Sequence, residues 1–174
     1  MLKLKLSPIL LLFVLNNSFA QQKFELSNEG YNQPVAEFSI SQDSIFKLAE
    51  NWVKRTFVDS EEVIQSTVEN EMIRFQTHIP KGYRLSIVTY NLKIRFRIDV
   101  KDGKYRLTIE ELQDQPTDEI SWRTMDLPAY FNKNDELRKM YTKMFDQINE
   151  HLNRINQSLF EAVSGKKKAV ADDW

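Results

Sequence analysis

The sequence predicts an α+β fold: one antiparallel β-sheet in the order β-α-β-β-β-β-α, with a short first helix and a long C-terminal helix packed on one face. Three observations predict it. Leu92, Ile94, Phe96, Ile98 and Val100 alternate with Lys93, Arg95, Arg97 and Asp99, the two-residue period of a strand with one buried and one wet face. Asp102-Gly103 then separates this run from a second alternating one, as the turn of a β-hairpin. Apolar residues from Leu137 to Val163 keep a three-four spacing, which belongs to a long amphipathic helix.

The chain begins with Lys3 and Lys5, an apolar run from Pro8 to Leu15, and Ser18-Phe19-Ala20, the small-residue pattern of a signal-peptidase site. Residues 1–20 therefore read as a cleaved signal peptide, and the mature protein as periplasmic or secreted. The apolar run is shorter than the roughly 20 residues that span a bilayer, so no membrane span is expected after cleavage. Cleavage after Ala20 of the 174 residues leaves 154, enough for one domain with its own core. Because the signal carries two lysines and no acid, the formal charge moves from −1 to −3, which speaks against a nucleic-acid partner.

Residues 21–33 are polar and read as a flexible leader, 34–164 as the single domain, and 165–174 as a disordered tail. Pro34 opens a first strand to Ile40, with Ala36, Phe38 and Ile40 inward. Ser41 is the N-cap of helix one, Asp43 suits its dipole, and Ile45, Leu48, Ala49, Trp52 and Val53 form its apolar stripe to about Phe57. Strands follow at Val63 to Val68 and Met72 to Ile79, the second broken by Pro80-Lys81-Gly82. His78 points away from the apolar face. The alternation slips phase near Val88-Thr89, which predicts a bulge or bend at the start of the next strand. With Asp102-Gly103 as a type I′ loop, Val100 faces Tyr105, Ile98 faces Leu107 and Phe96 faces Ile109, while Asp99 meets Arg106 and Arg95 meets Glu110. Gln113 to Lys133 is an aperiodic stretch with six large apolar residues, read as an ordered flap. Asn134 caps the second helix, whose stripe includes Leu137, Met140 and Tyr141, and Gly165 stops it.

The cap Ser41-Gln42-Asp43, Trp52 within Asn51-Trp52-Val53, the passage FVDSEEVIQ from Phe57, and VKDGKYRLTIEEL from Val100 resemble one family. It is the Bacteroidetes envelope family described as a domain of unknown function with a TBP-like fold, and the closing helix is similar to its last helix. The resemblance covers most of Val35 to Val163. It implies the TBP-like fold and brings no assigned chemistry, because the shared motifs are a cap, a core aromatic and a turn.

The residues themselves exclude several chemistries. The chain has no cysteine, and its two histidines, His78 and His151, lie far apart with no spaced ligand partners, so neither a metal nor a cofactor is expected. A serine triad lacks its glycine-framed nucleophile elbow. Two functions remain. The first is a non-catalytic binding or interaction module that uses the open sheet face, with Lys93, Arg95, Arg97 and Arg106, together with Trp122 of the flap. Its partner would be an envelope protein, an anionic glycan or a lipid headgroup. The alternative is a carboxylate-dependent hydrolase drawing on Glu110, Glu111, Asp114, Asp118 and Glu119.

Overall fold

The computed structural model describes residues 21–57 and 63–165. The expected signal segment, the tail beyond Gly165 and residues 58–62 lie outside the described residues. The elements are β1 (Leu26–Ser27), β2 (Gly30–Tyr31), β3 (Val35–Glu37), α1 (Gln42–Thr56), β4 (Ile64–Val68), β5 (Met72–Leu85), β6 (Val88–Lys101), β7 (Lys104–Pro116), β8 (Arg123–Thr124) and α2 (Thr142–Val163). Short 3-10 turns cover Leu127–Tyr130 and Lys139–Tyr141. The main sheet runs β3-β7-β6-β5-β4, all antiparallel, with β8 added to β7 beyond the end of β3.

Alternation in β6 sets the two faces. Leu92, Ile94, Phe96 and Ile98 are fully buried and Val100 nearly so, while Lys93, Arg95, Arg97 and Asp99 stand half-buried on the other side. Each large apolar side chain removed from water contributes about 1.5–3 kcal/mol, so this strand anchors the core. Both helices cover its apolar face. On α1, Ser41 caps the helix through its side chain, which accepts from the Ser44 amide, and Ile45, Phe46, Ala49, Trp52 and Val53 are buried. Trp52 stands edge-on to Phe75 of β5 and donates its indole N–H to Ser158 Oγ of α2 at 3.0 Å, tying sheet and helices together. Leu48, expected in the stripe, is 38% exposed; Phe46 takes the inner side instead.

The β6–β7 hairpin keeps the expected pairs of Val100, Ile98 and Phe96 with Tyr105, Leu107 and Ile109, and of Asp99 with Arg106. Two details differ. Positive φ falls on Gly103 (69°) and not on Asp102, the requirement of a type II rather than a type I′ turn. Farther along, the register shifts between Phe96 and Arg95, so Arg95 lies opposite Glu111, and Glu110 is the extra residue of a β-bulge. Alternation alone does not count such an insertion.

Strand β5 continues through the expected break. Pro80, Lys81 and Gly82 oppose Asn91 alone, and the Asn91 side chain accepts from the Lys81 amide at 3.0 Å. Gly82 is required there: a Cβ on it would sit 2.8 Å from the Leu92 side chain. The phase slip near Val88-Thr89 is a hairpin turn, since Leu85 pairs with Val88 across Ser86-Ile87. Strand β3 ends at Glu37, and Ile40, expected inside, is 36% exposed because the chain bends away into α1.

The last helix is shorter than its apolar spacing suggests. Asn132 Oδ1 accepts from the amides of Asn134 and Glu136, Asp135 takes φ 60°, and Phe131 bridges to Leu137, so this segment is a closed turn. The α-helix starts at Thr142, leaving Met140 67% exposed. Its 22 residues still extend about 33 Å at 1.5 Å per residue. The leader is ordered, contrary to expectation. Phe24 is buried, and Asn149, Asn153 and Asn156 on α2 bond Tyr31, the Phe24 amide and the Gln22 carbonyl respectively. These asparagines satisfy the polar groups of a segment that would otherwise gain little by ordering.

Candidate functional site

The sheet face away from the helices is open, and its polar side chains stand in cross-strand rows. Arg97 lies beside Asp99 at 3.1 Å and Glu110 at 3.3 Å, and Arg106 reaches Asp99 at 3.0 Å. Arg95 pairs with Glu111 at 2.8 Å. Arg74 of β5, absent from the expected set, grips Glu110 with both forks of its guanidinium, at 2.6 and 3.0 Å. Its role follows from the bulge, which brings Glu110 to the row that Arg74 and Arg97 share. This bidentate hydrogen bond is the leading reason the Glu110 carboxyl is held below its usual pKa, with burial opposing it. The four arginines therefore share three carboxylates, and the face is a ladder of alternating charge.

Lys93 departs from this pattern. The register places His78, Lys93, Gln113 and Thr124 in one row across β5, β6, β7 and β8. Trp122, two residues before Thr124, projects to the same side: the Lys93 ammonium lies 4.1 Å from its ring centroid, and His78 meets it edge-on at 5.3 Å. A lysine over an indole face is a cation–π contact. The structure thus joins Trp122 of the flap to Lys93 of the sheet, and leaves Arg95, Arg97 and Arg106 in the ion-pair ladder farther along. At the flap tip Ile120 is 95% exposed.

The flap itself is a return strand. Gln113 and Asp114 pair with Thr124 and Arg123, and the Met125 amide donates to the Leu112 carbonyl at 2.9 Å. Because β8 alternates, Trp122 and Thr124 face the open side while Arg123 and Met125 face the helices. There Arg123 Nε donates to Asp114 Oδ1 at 3.2 Å, and the Tyr83 hydroxyl donates to Oδ2 at 2.5 Å. Of the five candidate carboxylates, Glu110 and Glu111 lie on the open face, Asp114 is buried under the flap, and Asp118 and Glu119 are exposed beyond the end of β7. Among the described residues no group of three or more His, Cys, Asp or Glu could hold a metal ion, and no helix is long and apolar enough to cross a membrane.

No curated protein matches the sequence. A crystal structure of a DUF4468 family protein from Bacteroides ovatus ATCC 8483 superposes with a TM-score of 0.60 at 14% identity, covering 80% of this chain and 88% of that one. A TBP-like protein from Parabacteroides distasonis ATCC 8503 superposes with a TM-score of 0.59 at 13% identity, covering 76% and 90%. At such identities the likeness is one of fold. Residues 31–115, from the end of β2 almost to the end of β7, match the family described as a domain of unknown function (DUF4468) with TBP-like fold.

Proposed function

We propose that the protein is exported, with its signal peptide removed after Ala20, and works as a non-catalytic binding module of the cell envelope through its open sheet face and the 113–133 flap. One observation carries this reading: the flap returns as β8 and lays Trp122 over Lys93 on the open face, with Ile120 exposed beyond it. An aromatic anchor with an apolar neighbour, bordered by paired charges, suits a protein partner. An anionic glycan or lipid headgroup would have to compete with Asp99, Glu110 and Glu111 for the arginines, so the ladder favours a partner of mixed charge. Arginines engage Glu110 and Glu111, and Tyr83 and Arg123 engage Asp114, which favours the binding reading over the alternative of a carboxylate-dependent hydrolase.

The test is co-purification from the native envelope with wild type and Trp122→Ala. A component held by wild type and lost from the variant supports the reading, and identical components on both remove it. Intact-mass measurement of the envelope protein checks export separately: a chain still starting at Met1 contradicts it.

A further inference from the structure

The side of the flap turned toward the helices encloses a second surface. Between β8, the start of α2 and the far ends of β5 and β6 lies a cleft of about 390 Å³ whose walls include Tyr90, Tyr130, Tyr141, Asp114, Arg123 and Met144. This size is near the small end of the roughly 300–1,000 Å³ typical of ligand clefts. Tyr90 stacks on Tyr83 with centroids 4.7 Å apart and planes 8° from parallel, and the Arg123 guanidinium lies 5.7 Å from the Tyr90 ring. Tyr130 and Tyr141 meet edge to face at 4.9 Å. All three of Tyr90, Tyr130 and Tyr141 are half-buried, so part of each ring borders the cleft.

We infer that this cleft is a binding site for a neutral saccharide, seated on the Tyr90, Tyr130 and Tyr141 rings with its hydroxyls directed to Asp114 and Arg123. Three features select that chemistry. The rings offer flat apolar surface, which matches the C–H face of a sugar ring and leaves the hydroxyl edge for polar partners. Asp114 is 6% exposed and accepts two hydrogen bonds, from Tyr83 and Arg123, out of about four that a carboxylate takes, so it retains acceptor capacity for a ligand hydroxyl. The third feature is charge. Asp114 and Arg123 neutralise each other, and Asp126 stands exposed on the wall. With Arg123 already paired to Asp114, an anionic ligand meets the uncompensated Asp126 carboxylate, a penalty that a neutral ligand does not meet. The site lies on the opposite side of β8 from Trp122 and is independent of the partner surface proposed above.

The test is an amide NMR titration of the purified protein with N-acetylglucosamine, galactose, mannose and cellobiose, beside glucosamine and glucuronate as charged comparators. The expected result is saturable shifts at Arg123 to Tyr130 and Tyr141 with at least one neutral sugar, which binds more tightly than both charged comparators. Tyr141→Ala should weaken that binding at least tenfold, whereas Trp122→Ala leaves it within twofold. If Tyr141→Ala does not fold, Tyr130→Phe, which keeps the ring and removes one hydroxyl, takes its place with an expected loss of at least threefold. The inference is overturned if no neutral sugar shifts these amides, if a charged comparator binds more tightly, or if the folded cleft variant binds like wild type.

Discussion

The Tyr83 hydroxyl and the Arg123 guanidinium hold Asp114 from opposite oxygens, at 2.5 Å and 3.2 Å, on the otherwise apolar face of β7. A buried carboxylate is tolerated only with such partners. Burial, and then the hydrogen bond to Asp114, push the Tyr83 hydroxyl above its usual pKa. Tyr83→Phe removes one partner and keeps the ring stack on Tyr90. It should cost about 1–3 kcal/mol, read as a lower urea midpoint at pH 7. An unchanged midpoint would show that Arg123 alone suffices.

Tyr105 presents the opposite case. It is 1% exposed, its ring stacks on Phe38, and its hydroxyl has no hydrogen-bond partner among the described residues. Tyr105→Phe should therefore leave stability unchanged or raise it by up to about 1 kcal/mol at pH 7. Burial raises the pKa of this hydroxyl, so its neutral form stabilises the fold below pH 10 and that contribution is lost as pH rises further. Above pH 10 the wild type should lose about 1.4 kcal/mol per pH unit from this residue, a slope the variant lacks. Urea unfolding at pH 7 and at two alkaline values measures both effects, and parallel curves for the two proteins would refute the assignment.

Glu110 carries the acid side of the pH profile. Its pKa lies below the ordinary 4.5, chiefly through its hydrogen bond to Arg74, so its contribution is present above pH 4.5 and disappears as pH falls through the lowered folded value. Glu110→Gln should lower the unfolding midpoint at pH 7, and the gap between variant and wild type should close in strong acid. A gap that persists undiminished there would mean that packing, not charge, accounts for it.

Gly103 holds φ 69°, and a Cβ on it would come within 3.2 Å of the Phe38 carbonyl, whose own amide donates to the Gly103 carbonyl at 2.7 Å. Gly103→Val combines an unfavourable φ with this close approach. A loss of about 1–3 kcal/mol is expected in denaturant titration. A midpoint equal to wild type would show that the turn relaxes freely.

Much of the frame was legible because local rules act within a few residues. Ser41 is an N-cap in sequence and in space, β6 buries the residues its alternation assigns inward, and Asp102-Gly103 closes its hairpin. The candidate site was legible only as a set of outward-facing residues. Lys93 and the arginines share the open face as spacing required, but spacing could not tell that the arginines are neutralised while Lys93 meets Trp122. Arg74 escaped notice because its carboxylate belongs to a strand two places across the sheet.

What the amino-acid order determined by itself was therefore the identity of the elements and the face each residue takes, since a period of two or of 3.6 is a property of neighbours along the chain. Tertiary structure decided the rest. The bulge at Glu110, the docking of Phe24 against the asparagines of α2, the return of the flap as β8 and the burial of Asp114 beside Tyr83 each depend on a partner distant in sequence. Their physical reason is common: a polar group accepts burial, or a segment accepts order, only where another element supplies the missing hydrogen bond or contact.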